Sequence, residues 1–225
     1  MTQRNTTQKL FTGKRNALVQ LCALAGVVGP LLFVLGFTLA GWLTPGYSPL
    51  SQSVSSLGVD GAYPWLQNTN FVVFGLLILA FAVGFFHQMR EVLSRMGLWT
   101  STFLLVLTGA GLVNDGFFTE GSVTALPGIL HAFGFLVIFG SLVTALWVIG
   151  SQLRQLSAWR RCGWYTLLTS WVTLGVLFSA AALADSLQLT GLFQRILVVV
   201  AFGWYVVMGC RLFIFARAQA RTWER

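Results

Sequence analysis

The sequence predicts an all-α membrane protein with six transmembrane helices, and three observations support this prediction. Of the 225 residues, 56% are hydrophobic and only 9% are charged, whereas a soluble domain carries about 25% charged residues. The apolar segments are continuous rather than alternating, which indicates helices rather than the strands of a membrane barrel. Each segment also reaches or exceeds the length of about 17–25 residues that a helix needs to span a bilayer.

The six segments follow one another with short polar connections between them. We expect one transmembrane domain over residues 17–216, flanked by basic cytoplasmic tails at 1–16 and 217–225. The first segment is too long for the apolar core of a signal peptide and lacks a convincing small-residue cleavage site. In chain order, the predicted spans are 17–43, 66–86, 96–113, 125–149, 162–184 and 192–216.

The distribution of charge predicts the orientation of the chain. Six spans place both termini on one side, and every Lys and Arg except Arg195 falls on that side. By the positive-inside rule, both termini are therefore expected in the cytoplasm. The basic residues are then explained by orientation and by anionic lipid, so no nucleic-acid partner is expected. The sequence does not decide whether the chain forms a homo-oligomer or binds another membrane protein.

The polar stretch 44–70, between the first two spans, predicts a short amphipathic helix that lies flat at the outer membrane surface. Ser48 is a suitable N-cap, and Pro49 suits the first helical position. The apolar residues that follow recur at helical spacing on one face, at Leu50, Val54 and Leu57. The alternative is a serine-rich loop without fixed structure.

The membrane interior is predicted to hold no cofactor and no metal. No Asp, Glu, Lys or Arg lies near the middle of a span, and the two lysines, Lys9 and Lys14, lie in the tail. A retinal Schiff base would need a buried lysine. His87 and His131 lie at opposite ends of their helices, so they cannot share a haem iron or supply a three-histidine zinc site.

A ring of polar residues is expected at the outer mouth of the bundle. His131 lies about one turn inside the fourth span, where it could form an acid–base pair with Asp115 or Glu120. The alternative is a hydrogen-bonded packing histidine beside solvated loop acids. We expect Arg195 to form a structural ion pair with Asp185; alternatively, it presents its guanidinium to an anionic headgroup.

Four segments carry a resemblance to a known family. The sequence is similar to domain-of-unknown-function family 998 at PGYSPLSQSVSSLG, WLQNTNFVVFGLL, GILHAFGF and GLFQRILVVVAFGWY. The resemblance implies a bacterial or archaeal integral membrane protein with six spans, and therefore a location in a prokaryotic cytoplasmic membrane. The residues that match recurring positions of the family are Tyr47, Ser55, Asn68, His131, Gln194 and Arg195. The family often has a further histidine before the glycine of the fourth span, where this chain has Pro127.

Four functions are compatible with these features. The first is an outer vestibule that binds a lipid headgroup or a small polar ligand, lined by Tyr47, Ser55, Asn68, His131, Gln194 and Arg195. The second is a membrane-embedded enzyme with His131, Asp115 and Glu120 as its candidate acid–base groups. The third is a permease for a neutral or anionic solute, and the fourth is a scaffold for another membrane protein.

Overall fold

A computed structural model describes the backbone of residues 2–121 and 124–223 and the side chains of residues 17–121 and 124–217. The described part is all-helical and contains no strand. Its long helices are α1 (Thr2–Leu43), α2 (Pro64–Met89), α3 (Arg95–Phe117), α4 (Leu126–Leu153), α5 (Arg160–Leu183) and α6 (Thr190–Trp223). Two short 3-10 helices, at Ser55–Gly58 and Ser157–Trp159, lie in the connections.

All six long helices are apolar enough to cross a membrane, with mean hydropathies between 1.6 and 2.4. The predicted six-span class is therefore confirmed. The helices also extend into the segments expected to be tails, because α1 begins at Thr2 and α6 continues to Trp223. The side chains of residues 1–16 and 218–225 lie outside the described residues.

Local sequence signals explain where several helices begin. Pro64 opens α2, and Pro127 lies in the first turn of α4, where the missing N–H of proline costs no helical hydrogen bond. The Ser94 hydroxyl accepts a hydrogen bond from the N–H of Gly97 at 3.1 Å and caps the beginning of α3. These signals place polar or proline-containing connections at the ends of apolar helices.

The six helices pack in chain order as a ring, which α6 closes by returning to α1. Glycines allow the closest approach between α2 and α3. A Cβ atom added at Gly75 would lie 2.6 Å from the carbonyl oxygen of Gly109, so a larger residue does not fit there. In contrast, α5 packs more loosely between α4 and α6 and has a smaller buried share than the other helices. The loosest part of the ring is thus the part around α5.

Aromatic side chains fill the centre of the bundle. Phe74 of α2 lies with its ring centroid 4.8 Å from that of Phe33 in α1 and 4.8 Å from that of Phe202 in α6. Phe81 and Trp204 lie further toward the chain termini and have no exposed surface. This aromatic core separates the two ends of the bundle.

The loop between α1 and α2 differs from the predicted interfacial helix. Residues 44–54 form turns, and only Ser55–Gly58 is helical, as a 3-10 turn. Val54 and Leu57 are each 1% exposed and pack into the bundle, whereas Leu50 is 55% exposed. The carbonyl oxygens that an α-helix would use accept hydrogen bonds from α6 instead. Those of Pro49 and Gln52 accept from Arg195, and that of Leu50 accepts from the N–H of Leu192 at 2.9 Å.

Candidate functional site

A cavity lies at the end of the bundle opposite the chain termini, which we call the distal end. This distal cavity has a volume of about 520 Å³, within the range of about 300–1,000 Å³ that is typical of ligand sites. It lies between α4, α5 and α6, where the ring is loosest. Its described lining comprises Ser53, Ser55, Glu120, Gly121, Gly128, His131, Ala132, Phe135, Leu136, Ala180, Ala184, Asp185, Thr190, Phe193, Gln194 and Leu197.

The lining divides into a polar end and an apolar wall. The apolar wall includes Phe135 and Leu136 of α4, Ala180 of α5 and Leu197 of α6. Leu136 is 68% exposed on the surface of α4, and that surface faces lipid in a membrane-spanning helix. The cavity therefore extends from the polar loops at the distal end to the side of the bundle that contacts acyl chains.

His131 lies in the second turn of α4 and lines the cavity with only 8% of its surface exposed. Its Nδ1 is 2.8 Å from the carbonyl oxygen of Phe118 and 3.8 Å from Oδ1 of Asp115. Because a carbonyl oxygen can only accept a hydrogen bond, Nδ1 carries the hydrogen in the neutral ring, and Nε2 is then an acceptor. The imidazole is thus held in one orientation from its Nδ1 side.

Asp115 lies behind His131 and is 2% exposed. The Asn114 side chain donates to Asp115 Oδ1 at 3.2 Å and to the carbonyl oxygen of Leu130 at 2.8 Å, which joins α3 to α4. A Cβ atom added at Gly134 would collide with the Asp115 side chain, so the glycine makes room for the carboxyl group. Asp115 lines a separate void of about 20 Å³ rather than the wall of the distal cavity. It can therefore act on a ligand through His131.

Two further acids lie in the lining itself. Glu120 follows α3 and accepts a hydrogen bond from the Ser53 hydroxyl at 2.5 Å. Asp185 follows α5, and its Oδ1 accepts from the Thr190 hydroxyl at 3.3 Å. The described lining contains no Lys or Arg. The polar end of the cavity is therefore acidic.

The predicted ion pair between Arg195 and Asp185 is wrong, because the two side chains form no salt bridge among the described residues. Arg195 instead binds the loop between α1 and α2. Its Nη2 donates to the Tyr47 hydroxyl at 2.6 Å. Its Nη1 donates to carbonyl oxygens of Pro49 at 2.6 Å, Gln52 at 3.2 Å and Gly191 at 2.9 Å. Two backbone carbonyl oxygens of the loop and the Tyr47 hydroxyl thus converge on the guanidinium, whose several donors suit such a set of acceptors.

The residues predicted to bind a ligand fall into two groups. His131, Ser55 and Gln194 line the distal cavity. Gln194 also accepts a hydrogen bond from the N–H of Val54 at 2.5 Å, which fixes the loop beside the cavity. The other three hold that loop in place: Arg195 and Tyr47 bind each other, and Asn68 donates to the carbonyl oxygen of Gly58 at 3.1 Å.

Sequence reasoning missed the apolar wall of the cavity. It also missed Ser53, which lines the cavity and donates a hydrogen bond to Glu120. The pair Ala180 and Ala184 has the small-residue spacing that is typical of close helix packing. In the structure both alanines line the cavity. The i, i+4 spacing of the two alanines therefore indicated a face of small residues. It could not indicate whether that face contacts another helix or borders a cavity.

The helices and the cavity together define a polytopic membrane protein with a binding-sized cavity at one end. Residues 27–211 match the family described as "Protein of unknown function (DUF998)", and the chain belongs to this family. No curated protein and no solved structure shows a significant match to the chain.

Proposed function

We propose that the distal cavity binds an amphiphilic ligand, either a membrane lipid or a lipid-like molecule, from the outer leaflet. The observation that supports this most is the division of one cavity of about 520 Å³ into an acidic polar end and an apolar wall that reaches lipid-facing Leu136. The polar head would lie at Glu120, His131 and Asp185, and the chain would pass along the apolar wall. The outer-leaflet location depends on the predicted cytoplasmic termini.

Selectivity in such a site comes from the polar end. An acyl chain that moves from the bilayer to the cavity wall exchanges one apolar environment for another, so its transfer provides little driving force. Hydrogen bonds and charges at the head are made in a site of low dielectric, where they are stronger than in water. Glu120, His131 and Gln194 supply these groups in the lining.

The packing below the cavity favours binding over transport. A permease needs a path between the two ends of the bundle. Phe74, Phe81 and Trp204 fill the centre with rings that are at most 1% exposed, and a solute would have to displace them. A pure scaffold is also less well supported, because it does not require a cavity of this size.

Narrowing the cavity tests the proposal. Ala180→Phe places a ring in the apolar wall, whereas Val172→Phe adds the same ring on the lipid-facing surface of α5, where Val172 is 41% exposed. We expect native mass spectrometry to show at least a tenfold loss of bound amphiphile in the Ala180 variant and none in the Val172 variant. Equal retention by the two variants would contradict the proposal.

A membrane-embedded enzyme is the second candidate function. His131 supports it, because the carbonyl oxygen of Phe118 fixes its Nδ1 and a buried carboxyl group lies 3.8 Å away, while the ring lines the cavity. That is the arrangement of a histidine general base, which contributes about 10²–10⁴-fold to a rate. If the protein is an enzyme, purified protein will convert a component of a labelled membrane extract, His131→Ala will lose that conversion, and His87→Ala will keep it. If the protein binds an amphiphile but does not convert it, the enzyme is excluded and only the binding function remains.

A further inference from the structure

We infer that the distal cavity selects a cationic head, a protonated amine or a quaternary ammonium group, over an anionic one. This inference rests on the proposed function, since it names the chemistry of the head that the cavity takes. Glu120 and Asp185 bring carboxylates to the lining from two separate connections, α3–α4 and α5–α6. No Lys or Arg faces them in the described lining.

The two carboxylates are hydrogen-bonded but not neutralised by cations. Their partners are the hydroxyls of Ser53 and Thr190, which are uncharged. The salt bridges among the described residues join other groups, and the neighbouring loop residues at 122–123 are serine and valine by sequence. A cation that enters the cavity would therefore supply a missing counter-charge. The attraction is stronger at Glu120, which is half-buried, than at Asp185, which is exposed to solvent.

Arg195 keeps its positive charge but is not free to bind a head group, although it follows the lining residue Gln194 directly in the sequence. Both terminal nitrogens of its guanidinium are occupied, by three carbonyl oxygens of the backbone and the Tyr47 hydroxyl. Recruiting Arg195 to a phosphate would break the contacts that hold the loop between α1 and α2. An anionic head would thus meet two carboxylates without a free guanidinium.

An aromatic ring in the lining supports the same head chemistry. Phe193 of α6 borders the cavity and directly precedes Gln194 of its polar end. A cation over the face of an aromatic ring gains about 0.5–2 kcal/mol, and quaternary ammonium groups are the ligands most often recognised in this way. Carboxylates together with an aromatic ring suit an ammonium head on an apolar chain.

A panel of amphiphiles with one chain length tests this inference. The protein, purified in a neutral maltoside detergent, is exposed to dodecyltrimethylammonium, dodecylphosphocholine, dodecyl phosphate and dodecyl glucoside, and adducts are counted by native mass spectrometry. We expect the ammonium adduct to exceed the phosphate and glucoside adducts at least tenfold. A phosphocholine adduct of similar strength would identify a zwitterionic lipid as the source of the ammonium, and its absence would indicate a free amine.

Matched variants assign the selectivity to the carboxylates. Glu120→Gln combined with Asp185→Asn keeps the shape and the acceptors of both side chains, and it should reduce the ammonium adduct about tenfold. Glu91→Gln, an exposed acid at the opposite end, is the control and should change nothing. Preferential binding of the phosphate or glucoside, or an unchanged ammonium adduct in the double variant, would overturn the inference but leave the proposed function. Failure of all four amphiphiles to bind would overturn both.

Discussion

The guanidinium of Arg195 joins the beginning of α6 to the loop between α1 and α2. Sequence alone could place Arg195 at the distal edge of the membrane, because it lies in the first turn of the sixth predicted span. It is also the one Lys or Arg predicted on that side. Sequence could not identify the partners, because, apart from the carbonyl oxygen of Gly191 in the same helix, they are two backbone carbonyl oxygens and a tyrosine hydroxyl 143 to 148 residues away in sequence. Opposite charge made Asp185 the obvious partner, whereas the converging carbonyls of a tight loop provide more acceptors.

Replacing Arg195 should therefore destabilise the protein more than replacing Asp185. Hydrogen bonds to a charged group contribute about 1.5–3 kcal/mol each, so we expect Arg195→Gln to lose at least about 1.5 kcal/mol. Asp185→Asn removes a charge that pairs with no cation among the described residues, and its effect should stay small. Apparent melting temperatures at one scan rate provide the comparison. Equal losses of stability in the two variants would support the ion pair between Arg195 and Asp185 and contradict the contacts described here.

His131 shows what sequence can and cannot indicate at a site. Its position near the beginning of the fourth span predicted its depth, and a nearby acid was predicted from the chain order. The orientation of the ring depends on the carbonyl oxygen of Phe118 at 2.8 Å, and no side-chain pattern identifies a backbone acceptor. The cavity beside it depends on how loosely α5 packs between α4 and α6. That packing involves three helices, so the sequence around His131 could not predict it.

At the scale of elements, the spans follow from hydropathy, but the connections do not. Continuous apolar segments predict helices in lipid because the backbone has no other partner there. In the loop between α1 and α2, an apolar stripe of Leu50, Val54 and Leu57 was predicted on a surface helix, whereas Val54 and Leu57 pack into the bundle and Leu50 is exposed. The helix was wrong because Arg195, distant in sequence, binds carbonyl oxygens of the loop, and local propensity does not include such contacts.

The contact between α2 and α3 gives a prediction at this scale. A Cβ atom at Gly109 would lie 3.0 Å from the carbonyl oxygen of Gly75 and 2.9 Å from the side chain of Leu79. Gly109→Ala should therefore force the two helices apart, at the cost of about 1–3 kcal/mol for overpacking. Gly140→Ala is the matched control, because a Cβ atom there meets nothing within 4 Å. A loss of thermal stability in both variants, or in neither, would argue against the close contact.

At the scale of the whole molecule, the asymmetric distribution of charge and the position of the cavity together predict which leaflet supplies the ligand. The ring of helices has a packed aromatic centre, a loop held by Arg195 at the distal end and a lateral cavity beside α5. Cytoplasmic termini, which stay a prediction from the positive-inside rule, would place this cavity in the outer leaflet.

Cysteine labelling tests the orientation. In a background with Cys22, Cys162 and Cys210 replaced, Ser51→Cys lies in the exposed distal loop and Ser157→Cys lies in an exposed loop at the opposite end. A membrane-impermeant maleimide should label position 51 in intact cells and position 157 only after the membrane is permeabilised. The reverse pattern would place the cavity on the cytoplasmic side and remove the outer-leaflet ligand from the account.

The most direct test of the proposed binding site is an experimental density map of the protein extracted from native membranes together with its lipid. We predict elongated density in the distal cavity, with its head within hydrogen-bond distance of Glu120 or Asp185 and its chain leaving past Leu136. A cavity filled by repacked side chains of α4, α5 and α6, or lipid density confined to the outer surface of the bundle, would contradict the account.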